Sequence, residues 1–307
     1  MTPFFKNKLY VAILTTIAIL VGVFILFFFA TTLKARSFDI QDDIAEIYMG
    51  DSHVRYAVND NLLPHSLNVA NSSESTYFSY FKLKKILNKD PNVKKVILGF
   101  SYHNISGYYD DYTFGRYSNS IAANYFYILP ISEQLKMMKG DIKKTLSLLV
   151  HVLKSGISSW LNKNTFEGGY DNPYTGVTPV EASMIQRLNL QYDLNGKLQS
   201  FSLLNIRYLD KIATLCKENN VRLVLLNTPM YPYYRTRIPQ KFVEKYNEIV
   251  RSGNFEVLDL TRLEMSDSCY QPDGDLLSVE GALETTKEII RLKNLLINHH
   301  KEQQASQ

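Results

Sequence analysis

Cysteine, charge of one sign and internal repetition are all scarce in this chain. The two cysteines, Cys216 and Cys269, stand far apart and in no metal-like spacing, which leaves no thiolate framework for zinc or an iron–sulfur cluster. Cys216 falls on the apolar side of an expected helix, as a small core residue, and Cys269 falls in a loop; a disulfide between them is open in an oxidising compartment. The 34 basic and 30 acidic residues nearly cancel, leaving +4 at pH 7, so there is no basic stripe of the kind nucleic acid selects. No segment repeats at a fixed period, which excludes solenoids and propellers. Four of the histidines, His65, His151, His299 and His300, are scattered and read as surface or tail residues, so no metal or other cofactor is expected.

What is present begins with an apolar run. Leu9 to Leu33 is 25 positions without a charge, long enough to cross a bilayer as a tilted helix. A cleaved signal peptide would have a shorter apolar core and a small-x-small cleavage site, so the run reads as an uncleaved single span. Lys6 and Lys8 precede it and Lys34 and Arg36 follow, nearly balanced. The terminal amine and the acidic cluster Asp39, Asp42, Asp43 and Glu46 favour the N-terminus in the cytoplasm and the globular part outside. With 45% hydrophobic residues in 307, that part has ample material for a core.

Beyond residue 36, strand-like and helix-like segments alternate in the way that builds a parallel sheet. Strands are expected at 44–49, 66–70, 95–100, 222–227 and 255–260, with helices after 70 and at about 203–219, 240–251 and 281–298. The expectation is an α/β, three-layer αβα fold with a five-stranded parallel sheet, flavodoxin-like. Residues 1–36 form the cytoplasmic stub and anchor, 37–300 the globular domain with an insertion at about 105–199, and 301–307 a disordered tail. The insertion holds an amphipathic stretch near Ile142 to Leu161, which suits either a membrane surface or packing on its own domain. Many of the 21 tyrosines cluster from Tyr102 to Tyr127, where they serve packing more readily than sugar stacking.

The apolar run Ile44 to Met49 leads directly into Gly50-Asp51-Ser52-His53. Glycine accepts the backbone angles of a sharp turn, so the Ser52 hydroxyl can be left at the strand's carboxyl edge, where α/β sheets place their chemistry. The same residues also suit a plain turn before an N-capped helix.

Three further strand ends carry related blocks: Asn68-Val69-Ala70, Gly99-Phe100-Ser101-Tyr102-His103-Asn104, and Asp273-Gly274-Asp275-Leu276 before the last helix. Together with Gly50-Asp51-Ser52 they resemble the SGNH (GDSL-type) hydrolase superfamily over roughly residues 44–298. The resemblance implies Ser52 as nucleophile on an ester carbonyl, the amide of Ala70 and the side chain of Asn104 as an oxyanion site, and Asp273 as orienting acid. The position of the family's histidine holds Leu276, and losing the base of such a triad costs on the order of 10⁶ in turnover. His103 is the candidate substitute base, although a histidine in such a loop is commonly structural, and Asp275 is a weaker one. His53 is expected to diverge from Ser52 on a tight elbow. A membrane-anchored domain of this kind resembles those that work beside membrane-bound acyltransferases on envelope polysaccharides. The expected function is therefore acyl-ester hydrolysis or transfer, or a silenced fold kept as a binding partner.

Overall fold

The computed structural model describes residues 3–35, 40, 43–89, 92–139, 141–161, 168–194 and 196–305. Arg36, Asp39, Asp42, the Asp90-Pro91 helix stop and the end of the tail, residues 306–307, lie outside them. The chain divides into two compact units, one of Met1–Asp39 with Asn119–Phe166 and one of Ile40–Ser118 with Glu167–Gln307.

The larger unit is built on five parallel strands, β1 (Glu46–Met49), β2 (Ser66–Asn68), β3 (Lys95–Gly99), β4 (Arg222–Asn227) and β5 (Glu256–Asp259), in the order β2-β1-β3-β4-β5. The β1–β3 pairing sets Tyr48 opposite Ile97 and Met49 opposite Leu98, and these side chains are buried because a parallel sheet is covered on both faces. Five strands in this class are what the apolar runs predict, each within two residues of its expected ends. The edge strand β5 is half-exposed, so its apolar signal is weaker than that of β1, β3 and β4.

In chain order the helices are α1 (Pro3–Ala35), α2 (Ser52–Ala57), α3 (Thr76–Leu87), α4 (Tyr108–Thr113), α5 (Ser118–Tyr125), α6 (Ile131–Met138), α7 (Ile142–Leu161), α8 (Glu181–Tyr192), α9 (Leu203–Glu218), α10 (Pro232–Arg235), α11 (Gln240–Ser252) and α12 (Val279–Ala305). Within the larger unit α3 packs on α9, and α2 packs on α12. Leu209, Ile212 and Cys216 supply the buried stripe of α9 at helical spacing. The last helix runs on to Ala305, past the expected end at 298. Cys216 and Cys269 are both buried and free, so the disulfide left open by the sequence is not formed.

In the smaller unit α7 packs along α1, and Phe27 meets Phe126 edge to face at 6.0 Å between ring centres. Within α1, Tyr10–Phe29 has a mean hydropathy of 2.9 and none of its described residues is fully buried. Its 20 residues rise about 30 Å as a helix, the thickness of a bilayer's hydrocarbon core.

Candidate active site

The turn after β1 places the nucleophile block. Gly50 has φ +134°, and a Cβ there would stand 3.2 Å from the Gly99 backbone at the end of β3. Glycine at 50 therefore meets both a backbone and a close-approach requirement. Asp51 caps α2 by accepting from the His53 amide at 2.9 Å. Ser52 is the first residue of α2, at the carboxyl edge of the sheet, and is half-buried.

The groups around Ser52 form one buried network centred on Asp51. Its Oδ1 also faces His53 Nδ1 at 3.0 Å, and its Oδ2 faces His103 Nε2 at 2.9 Å, accepts from Asn104 Nδ2 at 2.9 Å and accepts from the Tyr109 hydroxyl. The far side of His53 ends at Asp275: Nε2 lies 2.9 Å from Asp275 Oδ1. Asp275 Oδ2 accepts from Arg187 Nε and Gln191 Nε2, each at 2.8 Å. The loops after β1 and before α12 thus converge on one spot, with His53 as the link between them.

Charge in this network is held by its partners. Burial disfavours an imidazolium at His53, but Asp275 and then Asp51 outweigh it and raise the pKa to about 10. Burial would push Asp51 and Asp275 upward, yet His53 first, then His103 for Asp51 and Arg187 for Asp275, hold both carboxyls well below the usual range. Burial and the charge of His53, stacked at 3.7 Å between ring centres, lower His103 despite Asp51. Neutral His103 then donates from Nε2 to Asp51, and its Nδ1 keeps a lone pair with no hydrogen-bond partner. Two carboxylates face one imidazolium and one guanidinium, so the buried charges cancel.

Several assignments from the sequence change in this geometry. His53 is buried and takes the network's second carboxylate as a partner. The helical turn that begins at Ser52 carries its ring back over the cap, between two carboxylates that occupy both nitrogens. The Ala70 amide is not free for an oxyanion, because it donates to Asn68 Oδ1 at 3.0 Å. Asn104 is likewise engaged, its amide group on Asp51 and its oxygen accepting from the Ser101 amide at 2.7 Å. Asp273 orients no imidazole; its Oδ1 accepts from the amides of Asp275 and Leu276, each at 3.1 Å, and so closes the loop. Asp275 is no base, since its ionised form is the one its partners stabilise. Leu276 is buried. His103 Nδ1 has no hydrogen-bond partner, and His53 Nε2 has none either but pairs by charge with Asp275 Oδ1 at 2.9 Å.

Beside this loop lies an open cavity of about 270 Å³, lined among others by Ser183, Arg187, Leu190 and Asp273. His65 is exposed with φ +55°, and the His151 ring meets the Ser147 carbonyl at 2.7 Å. The side chains of His299 and His300 lie outside the described residues.

From the sequence Asp51 is part of the nucleophile motif and Tyr109 of the tyrosine cluster, with no role of their own, and Arg187 and Gln191 stand outside every motif. Arg187 and Gln191 sit one helical turn apart on α8, so an Arg-x-x-x-Gln face was there to be noticed. Nothing local links it to a strand end 136 residues earlier.

The ligand atoms of Asp51, His53 and His103 lie within 4.8 Å of one another, the spread of a metal site. The rings decide against ligation. Two imidazoles on one metal at about 2.0–2.1 Å splay apart, with ring centres roughly 5 Å from each other, whereas these are stacked at 3.7 Å and already bonded through Asp51.

No family model and no curated protein matches the sequence. Among solved structures the chain is similar to a candidate platelet activating factor from Streptococcus pneumonia, at 12% identity and TM-score 0.43 over 91% of this chain and 98% of that one. It is similar to a GDSL-like lipase from Bacteroides thetaiotaomicron VPI-5482 at 11% and 0.38, over 86% and 94%. A candidate acylhydrolase from Bacteroides fragilis NCTC 9343 is similar at 12% and 0.36, over 83% and 88%. At these identities and scores the chemistry of the site rests on its own geometry.

Proposed function

We propose that this chain is a membrane-anchored SGNH-type domain that hydrolyses or transfers acyl esters through Ser52, outside the cytoplasm, on a cell-envelope glycan or a similar polymer. The observation that supports it best is the half-buried Ser52 at a positive-φ elbow beside the Asp51–His103 pair, in which only His103 Nδ1 remains able to take a proton. In this reading Ser52 Oγ attacks the acyl carbonyl, its proton passes to His103 Nδ1, and the imidazolium so formed is stabilised by Asp51. The proton then returns to the leaving alkoxide, and water or an acceptor hydroxyl releases the acyl group by the reverse sequence. Ser52 Oγ and His103 Nδ1 are not hydrogen-bonded to each other here, so substrate has to draw them to roughly 3 Å. A membrane-bound acyltransferase is the partner this reading calls for, and the anchor would keep the domain beside it.

A second reading, a silenced fold that binds or assembles, is favoured by Leu276 in the expected base position and by the occupation of both His53 nitrogens. A fluorophosphonate probe separates the two. Labelling of the wild type that disappears in Ser52→Ala supports an activated serine; wild-type labelling no stronger than that of Ser52→Ala supports the silenced fold. Leu276→His sharpens the test: if the crevice is competent and only the base is weak, ester turnover rises about 10²-fold or more.

A further inference from the structure

Ser183, Gln186, Arg187 and Leu190 follow one another on α8 at i, i+3, i+4 and i+7, so their side chains share one face of the helix. With Pro272 and Asp273 of the loop before α12 they line the open cavity of about 270 Å³ beside the buried network. Both walls belong to the larger unit, and the Val180 amide ties them together by donating to the Pro272 carbonyl at 2.9 Å. Small-ligand pockets start at about 300 Å³, so a cavity of this size has room for one ring.

Two groups in this cavity are fixed by the fold yet keep capacity for a ligand. Arg187 commits only Nε, to Asp275 at 2.8 Å; neither of its terminal nitrogens donates to a described residue, and the side chain is 17% exposed. Asp273 commits Oδ1 to two backbone amides, while its Oδ2 accepts from no described residue, lies 3.8 Å from Arg187 Nε and belongs to a side chain 23% exposed. Donors and an acceptor thus stand side by side. The charges behind them already cancel, and ionised Asp273 adds a negative one at the wall, which disfavours an anion; a cation would meet the guanidinium. Two neighbouring hydroxyls suit both groups, one oxygen accepting from Arg187 and the other hydroxyl donating to Asp273 Oδ2. Leu190 and Pro272 offer apolar surface to the C–H face of the ring that bears them.

We propose that this cavity is a subsite for one neutral sugar ring, in which Arg187 and Asp273 grip adjacent ring hydroxyls. Arg187 also holds Asp275, and Asp275 holds His53, the residue after Ser52, so the ring is seated on the same buried network as the nucleophile. The inference rests on the glycan reading above for the polymer to which the ring belongs; the seat itself is read from the cavity's own donors and acceptors.

The experiment uses the full chain in a detergent without a sugar headgroup and follows saturation-transfer NMR titrations with neutral tetrasaccharides of glucose, mannose and galactose and with the anionic tetragalacturonate. At least one neutral tetrasaccharide should bind saturably. Gln186→Trp, which fills the cavity from an exposed position of α8, and Asp273→Asn, which keeps the Oδ1 acceptor but replaces Oδ2 by a donor, should each weaken that binding about tenfold or more. An unchanged unfolding midpoint shows that Gln186→Trp is folded. Absence of saturable binding by every neutral sugar, or binding indifferent to both substitutions, overturns the inference. Tighter binding of tetragalacturonate than of every neutral sugar assigns the cavity to an anion and overturns it as well. Fluorophosphonate labelling of the wild type is read in parallel: sugar binding without labelling removes the esterase reading and leaves the subsite, and labelling without sugar binding does the reverse.

Discussion

At the sheet edge, Asp51, His53, His103 and Asp275 are taken almost wholly out of water, whereas on α6 and α7 the side chains of Ile131, Ile142 and Leu146 stand in it. Each region departs from the partition usual in soluble proteins, and in opposite directions. The buried charges are tolerable because each finds an opposite charge or a donor within the same unit. The apolar stripe of α6 and α7 stays exposed within its unit. The comparison teaches that the larger unit answers its buried charges from its own residues, whereas the smaller one leaves apolar side chains uncovered.

The strongest way to break that contrast is to remove one charge from the interior. Asp275→Asn leaves His53 and Arg187 facing a neutral amide, and loss of one partner from a buried pair costs about 3–5 kcal/mol. Denaturant unfolding of the full chain in detergent should show that loss; a change below about 1 kcal/mol would mean that water reaches the network and that the two regions are less different than their burial indicates.

Titration probes the same contrast more gently. His53 is raised from 6.5 to about 10 on folding, so its contribution is complete below pH 6.5 and is lost as pH rises toward 10. His103 is lowered, so its neutral form favours the fold above pH 6.5 and opposes it below; Asp51 and Asp275, both depressed, favour the fold above pH 3.8 and lose that contribution as pH falls further. Stability should therefore peak near pH 6.5, with an alkaline loss of at most about 5 kcal/mol. In His53→Gln that alkaline limb should flatten; an unchanged limb would assign it to other groups.

How far the sequence shows all this depends on the range of the interactions. Strands β1, β3 and β4 are legible because buried parallel strands are uninterrupted apolar runs, and the turn at Gly50 is legible because a positive φ selects glycine. The long apolar helix α1 is legible for the same reason of composition. The serine and the last loop were found as blocks, but their partners were not. Whether Asp273 or Asp275 meets an imidazole depends on which carboxylate is turned back to cap its own loop, and that depends on Arg187 and Gln191 arriving from α8. The link from His53 to Asp275 is not legible locally, because the second carboxylate arrives from a loop more than 200 residues away in the chain.

The smallest expected effect tests the other side of the contrast. Leu146→Ser removes an apolar side chain that is 57% exposed in the smaller unit. A core leucine truncated in this way would cost about 2–5 kcal/mol, but here the fold has little packing to lose, and the change in unfolding free energy in detergent should stay within about 0.5 kcal/mol. A large loss of stability would show instead that the stripe is covered by protein, and the division between a unit that buries its charges and one that exposes its apolar side chains would fail at the residue chosen to mark it.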